Sequence, residues 1–405
     1  MRHGPFRAYF MTGMLSMMAD NIEHVISYWV IFQAFHSPTL AGFAVISHWT
    51  PFLVLGVWFG GLADRYDCRK IIIWSQVAFI AASLAWAVLF LTGTLQTWHA
   101  VILLIVHGLA GALWAPAGQL IIHDTVGHEQ LQSGVRLSAT GRSVGILFGP
   151  AVGGALLLTL GPGYGLMANA LLYLPMTFWL LRTPYTGHRR TIASDESARL
   201  SVADAVRTLR EISSDRGILV MTALAGLSSL FVGNAYQAQM PEFAAVFGSA
   251  QDEITYSVLL TANAAGSVLG GFGLEALAFF RQPRIRTAVL LALLWGASIV
   301  VFAVTPVYAL AVLALLIGGA LNIGFTSMAQ AYVQLAAPPS RRGRVVGLFS
   351  MSSNGLRVGS GITVGILGAV IGIHYSLALS ALAFIIAGLA LFAYANGRTR
   401  EAVTA

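Results

Sequence analysis

Runs of apolar residues about 20 long recur from one end of this sequence to the other, each able to cross a hydrocarbon layer of roughly 30 Å as a helix. They cover residues 8–35, 39–63, 71–93, 98–122, 137–160 and 163–182, then 218–246, 255–280, 286–305, 308–335, 345–371 and 373–395. A soluble core has no use for so much apolar surface: 57% of the 405 residues are hydrophobic and only 10% are charged. The chain is therefore expected to be an all-α membrane protein with twelve transmembrane helices. Its single cysteine, Cys68, permits no intramolecular disulfide, so helix packing must hold the fold. The first apolar run is too long for a secretory signal and lacks a cleavage-like end, so no cleavable leader is expected.

A single long polar stretch separates the first six runs from the second six. The expected organisation is thus a six-helix bundle over 1–182, a cytoplasmic linker over 183–217 and a second six-helix bundle over 218–405. Within the linker, Val202, Ala205, Val206, Leu209 and Ile212 share one helical face, which predicts an amphipathic helix over 200–212 lying on the membrane surface. Basic residues occupy alternate loops: Arg65, Arg69 and Lys70; Arg136 and Arg142; the linker; Arg281, Arg284 and Arg286; Arg341, Arg342 and Arg344; and both chain ends. The intervening loops, HSPT, TGTLQTWH, LGPGYG, FGSAQDE, TPVY and VIGIH, hold none. Because basic loops stay inside, both termini are expected to be cytoplasmic. The net charge of +7 is accounted for by that topology and predicts no nucleic-acid partner.

The stretch MMADNIEH in span one places Asp20, Glu23 and His24 about 18 Å to 24 Å along a helix starting at Ala8, near or just past mid-membrane. Carboxylates are costly there unless they face the protein interior or water. Asp20, Glu23, His24 and Ser27 share a face by three- and four-residue spacing, expected to look into a central cavity. Two carboxylates so close favour retention of a proton on one of them, as a proton carrier requires. A purely structural polar cluster is the second option, and the third is a divalent-metal site, for which the same face offers ligands. Further polar residues within spans are His48, His107, Asn234, Gln237, Asn322 and Asn354, which with Asp20 and Ser27 are candidates to line a substrate cavity. Isolated polar residues of this kind often bond neighbouring helices instead. Two short echoes link the halves: Gly60-Gly61 with Gly270-Gly271, and SATGR (138–142) with SNGLR (353–357).

The loop GGLADRYDCRK, Gly60 to Lys70, resembles the signature of the major facilitator superfamily. That resemblance implies that Gly60 and Gly61 let helices approach, that Asp64 caps or pairs with a neighbouring helix end, and that Arg65, Arg69 and Lys70 hold a cytoplasmic gate. Asp67 and Cys68 depart from the usual pattern, and the acidic residue is similar to the branch holding enterobactin-type siderophore exporters and macrolide efflux proteins. GILFGPAVGG resembles the family's antiporter motif at Gly145, Gly149, Pro150, Gly153 and Gly154, with glycines for close contact and a proline expected to kink the helix. The arginine that drug-exporting antiporters carry in span four is absent, and Leu104 and His107 stand at that place. Arg142 and Arg357 are expected at an interface between the bundles.

No zincin, nucleophile-elbow or phosphate-binding loop is present, so the chain is not expected to be an enzyme. The expected function is secondary active transport by alternating access: proton-coupled export of an amphipathic small molecule, a siderophore or drug, from a multi-pass position in the bacterial inner membrane. Asp20, Glu23 and His24 would carry the proton. The alternative is a carrier for a divalent metal or small solute, working by uniport or uptake, with Asp20, Glu23 and His24 as metal ligands. The expected partners are the lipid bilayer and the small-molecule substrate, for a monomer with no cofactor beyond the proton gradient.

Overall fold

The computed structural model describes residues 4–187, 215–247, 252–276, 283–337 and 342–396. The expected amphipathic helix over 200–212, most of the linker and Arg281 and Arg341 lie outside them. Every regular element among the described residues is helical. The chain divides into two units, residues 1–36 with 47–199 and residues 37–46 with 200–405.

In the first unit, α1 (Gly4–Phe35) is 32 residues long, about 48 Å at the usual rise. α2 (Pro38–Val54) and α3 (Gly56–Arg65) together occupy the second expected span, bent by 60° where they meet. α4 (Cys68–Leu91) starts at an N-cap, Asp67, whose side chain accepts the Arg69 amide. α5 (Thr97–Leu172) runs for 76 residues and is interrupted only at Gly127 (φ 72°) and Gly161 (φ 74°), where the left-handed backbone requires glycine. Those two breaks divide it into three arms. Pro150, where a kink is expected, keeps helical backbone angles, and the non-helical positions are the glycines. α6 (Leu174–Arg182) closes the unit.

Residues 37–46, which include the start of the second span, group with the second unit rather than with 1–182. Within that unit the backbone approaches closely at Gly42, where an added Cβ would lie 2.7 Å from the Gly361 oxygen and the Gly365 Cα. Span seven, expected unbroken over 218–246, consists of Arg216–Phe231, Ala235–Ala238 and Met240–Val246, interrupted at Gly233 (φ 45°). Span eleven is likewise interrupted: two π-helical stretches, Met351–Gly355 and Gly361–Ile366, replace the α-helical register. Hydropathy averages over a window and does not register such changes in hydrogen bonding. Asp252–Ala276, Ile285–Val304, Tyr308–Ala336 and Ile373–Asn396 complete the unit.

Among the described residues eight helices are long and apolar enough to cross a membrane, or nine if α2 and α3 count as one bent span. α1 and Asp252–Ala276 match them in length with 32 and 25 residues but are less apolar. Trp58, Trp74, Leu181 and Ile386 are exposed, as suits side chains whose solvent is lipid. Inside the first unit, Phe6, Tyr9, Cys68, Ile72, Ile121 and Met176 pack into one core, and Ala19, Phe79, Ala110 and Tyr173 into a second.

Candidate functional site

α1 presents Asp20, Glu23 and His24 on one face by their spacing, and inside the first unit that face meets α2, α4 and α5. His107, on the first arm of α5, sits between the two carboxylates. Its Nε2 is 2.9 Å from Oδ1 of Asp20, and its Nδ1 is 2.8 Å from Oε1 of Glu23. The second oxygen of Glu23 accepts the Ser83 hydroxyl from α4, and Ser83 in turn accepts the Asn169 amide at 3.2 Å. Glu23 is 2% exposed, and Ser83 and Asn169 are fully buried. A carboxylate so deeply buried is tolerable only with such partners.

The contacts fix a proton inventory. An ionised carboxylate only accepts, so each contact to His107 needs one proton on the ring or on the acid. Both are satisfied when the triad carries one net negative charge, either as imidazolium between two carboxylates or as neutral imidazole between a carboxylate and a carboxylic acid. Removing a proton leaves a nitrogen lone pair facing an oxygen lone pair. Adding one makes the triad neutral, which is the cheaper state in a bilayer.

Two more imidazoles adjoin it. Nδ1 of His24 faces the backbone oxygen of Asp20 at 2.7 Å, which assigns an N–H to that nitrogen and turns Nε2 toward Nδ1 of His48 at 3.3 Å. The His24 ring centroid lies 4.6 Å from that of His48 and 4.8 Å from that of His107. One neighbour of His107 makes the approach possible: a Cβ on Gly108 would come within 2.9 Å of the His48 Cα and still nearer the Ser47 oxygen, so only glycine brings α5 this close to α2. On the other side the Phe79 ring packs edge-on to His107 at 4.9 Å and stacks on Tyr173 at 5.1 Å, giving the triad an apolar wall.

α1 is held from behind by glycines. Added Cβ atoms would lie 2.8 Å from the Met14 oxygen at Gly145, 2.5 Å from the Asn21 Cβ at Gly149 and 3.1 Å from the Val25 Cβ at Gly153. Gly154 is buried on the same arm, beyond Pro150. The glycine stripe thus seats the helix that carries both carboxylates.

Gly60 and Gly61 differ. A Cβ at either would meet nothing within 4 Å, so no close helix approach accounts for them in the described structure. Asp64, Arg65 and Lys70 are exposed. Arg69 is engaged: Nη2 donates to Oδ2 of Asp67 at 2.7 Å, and Nη1 donates to the Thr183 oxygen at 2.6 Å, clasping the end of α6. Burial works to raise the Asp67 carboxyl, but hydrogen bonds from Arg69 and the charges of Arg69 and Lys70 outweigh it and hold the group below the usual carboxylate range.

A small cavity lies beside α1, with Tyr9, Phe10, Trp114, Ser138 and Arg142 in its wall. Trp114 Nε1 and Ser138 Oγ are buried there without a hydrogen-bond partner.

Comparison with known proteins bears on the family. Residues 1–403 match the major-facilitator family described as transmembrane secretion effector. The chain belongs to the major facilitator superfamily. An uncharacterised transporter of this type from Bacillus subtilis (strain 168), YfiS, is 23% identical over 212 residues; the match covers 49% of this chain and 50% of that relative, so the chain spans about half the length of the curated relative it matches. Solved structures share the fold. A bacterial homologue of the human lysosomal transporter Spinster, inward-facing and unoccupied, superposes with a TM-score of 0.72 at 13% identity, over 96% of this chain and 95% of that one. The nucleoside transporter NupG gives a TM-score of 0.72 at 12% identity, over 96% and 99%. A D-xylose–proton symporter gives 0.66 at 16% identity, over 95% and 96%. Members of this superfamily are transporters and not enzymes.

Within this major facilitator chain the structure brings together Asp20, Glu23, His24, His48 and His107. Ser27 does not join them; its hydroxyl donates back to the His24 oxygen at 3.2 Å. The metal-ligand grouping also changes: the described cluster with converging ligand atoms is His24, His48 and His107, since Glu23 is occupied by His107 and Ser83. Inside the first unit the polar face meets α2, α4 and α5. Arg142 lines the cavity within the first unit. In the second unit Asn234, Gln237, Asn322 and Asn354 are half-buried, and the Arg357 Nε donates to the Ser353 oxygen at 3.2 Å within its own span. Ser83 and Asn169 were not singled out from the sequence; single polar residues in apolar spans carry no mark of their partners.

Proposed function

We propose that this protein is a proton-coupled exporter of an amphipathic small molecule, of siderophore or drug type, working as a monomer by alternating access in the bacterial inner membrane. Twelve spans in two six-helix bundles, with both termini cytoplasmic, complete the proposal. The observation that carries it is the placement of His107 between Asp20 and Glu23. The triad takes up one proton to become neutral and releases it to return to one negative charge. A proton moving down a potential of about 100 mV supplies about 2.3 kcal/mol, roughly fortyfold in concentration at about 1.4 kcal/mol per factor of ten. Asp20 is the exchanging member, because Glu23 is the more deeply buried and is also held by Ser83. The rings of Tyr9, Phe10 and Trp114 with the Arg142 guanidinium beside α1 offer chemistry suited to an amphipathic cargo.

The chemistry couples through geometry. Protonating Asp20 removes the charge that draws His107 toward α1, and the seat of α1 on Gly145, Gly149 and Gly153 passes a change in α1 to α5. The test is a proteoliposome assay with a trapped pH dye, an imposed potential and panels of siderophores, drugs and divalent metals. Substrate-dependent proton movement in the wild type, lost in Asp20→Asn, is the expected result; proton movement unchanged in Asp20→Asn would contradict it.

A further inference from the structure

We propose that His24, His48 and His107, with the Asp20 carboxylate as fourth ligand, form a binding site for one divalent transition-metal ion of the zinc class. One ring nitrogen from each histidine lies within 4.8 Å of the others. A tetrahedral ion bound to nitrogen at about 2.0–2.1 Å holds neighbouring ligands about 3.3–3.4 Å apart. Nε2 of His24 and Nδ1 of His48 already stand at 3.3 Å. Nε2 of His107 and Oδ1 of Asp20 stand at 2.9 Å and need only part slightly to admit an ion between them.

Stronger evidence lies in what the other ring nitrogens do. A ligating histidine characteristically donates its second N–H to a backbone oxygen or a carboxylate, which fixes its tautomer and aim. His24 gives Nδ1 to the Asp20 backbone oxygen at 2.7 Å, leaving Nε2 for an ion. His107 has Nδ1 against Glu23 at 2.8 Å, leaving Nε2, and Glu23 is steadied by Ser83. Two imidazoles are thus braced from behind, and Gly108 sets the third, His48, against them. Three imidazoles and one carboxylate favour zinc, cobalt, nickel or copper over magnesium and calcium, which prefer all-oxygen cages.

The site shares Asp20 and His107 with the proton triad, so ion and exchanging proton exclude each other. Binding is read without transport, and the two proposals fail separately. The experiment uses the full chain in detergent, purified without a histidine tag and stripped with chelator. Titration calorimetry with Zn²⁺ is expected to show one ion per chain, no heat with Mg²⁺ at the same concentration, and at least tenfold weaker binding in His48→Gln and in His24→Gln. X-ray absorption of the wild-type zinc complex is expected to show imidazole scattering from three rings, a result that does not depend on any variant folding. Absence of stoichiometric zinc binding, a zinc shell without imidazoles, or full affinity retained in both variants would overturn the proposal.

Discussion

Nδ1 of His107 lies 2.8 Å from Oε1 of Glu23, 84 residues away in sequence and 2% exposed. That bond ties α5 to α1 at a depth where neither group has water as an alternative partner. Removing the imidazole leaves the acid with an unpaired contact. His107→Gln is expected to destabilise the protein by about 3–5 kcal/mol, the usual cost of orphaning one member of a buried pair. Because the groups act together, adding Glu23→Gln should recover part of that loss. Thermal unfolding in detergent of both single variants and the double variant checks it; strictly additive losses would contradict the coupling.

Ser83 holds the other oxygen of Glu23. Ser83→Ala leaves a buried acceptor unsatisfied and is expected to cost about 1–3 kcal/mol. It also leaves the Asn169 amide without that acceptor. Unfolding midpoints of Ser83→Ala and Ser83→Thr separate the hydrogen bond from the volume, with threonine retaining more stability.

The glycines of the two motifs should respond differently. At Gly149 an added Cβ would sit 2.5 Å from the Asn21 Cβ, whereas at Gly60 it would meet nothing within 4 Å. Gly149→Ala is expected to destabilise by about 1–3 kcal/mol through overpacking and to impair transport, while Gly60→Ala leaves stability unchanged or slightly raised. Parallel melts and uptake assays read both.

Asp67 supplies the pH dependence. Its carboxyl is held below the ordinary range by Arg69 and Lys70 despite the opposing effect of burial, so the folded state binds the proton less readily than the unfolded chain. The resulting stability is fully present above the unfolded value of about 3.9 and is lost as pH falls through the folded value. The pair is partly exposed to solvent, so its worth is held to about 1 kcal/mol or less. Asp67→Asn should lower the unfolding temperature at pH 7, with the gap to wild type closing in increasingly acidic buffer below pH about 4.

Much of this was legible in the sequence because the physics is periodic. Apolar run length marks the spans, and three- and four-residue spacing put Asp20, Glu23 and His24 on one face. The stripe Gly145, Gly149 and Gly153 was legible because close helix contact demands small residues every fourth position. Partners were not legible. His107 is marked in the sequence as a polar residue within a span, at the place where drug-exporting antiporters carry arginine, and nothing in an apolar run identifies Ser83 or Asn169 as its neighbours. The echo between the halves was sought at Gly60 and Gly270, yet only Gly270 is packed, against Ala320. The structural counterpart is Gly108 against Ser47 and His48 in one unit and Gly319 against Asn263 and Ser267 in the other. Span eleven reads as a continuous helix because composition carries no trace of a shift to π-helical bonding.

Coupling through Asp20 is tested most directly by comparing two modes of transport in the same proteoliposomes once a substrate is in hand. Exchange of labelled for unlabelled substrate needs only the conformational cycle; accumulation against a gradient needs the proton as well. Asp20→Asn is expected to keep exchange while losing accumulation driven by an imposed proton gradient. Gradient-driven accumulation by Asp20→Asn at the wild-type level would contradict the assignment of the proton to the Asp20, His107 and Glu23 triad.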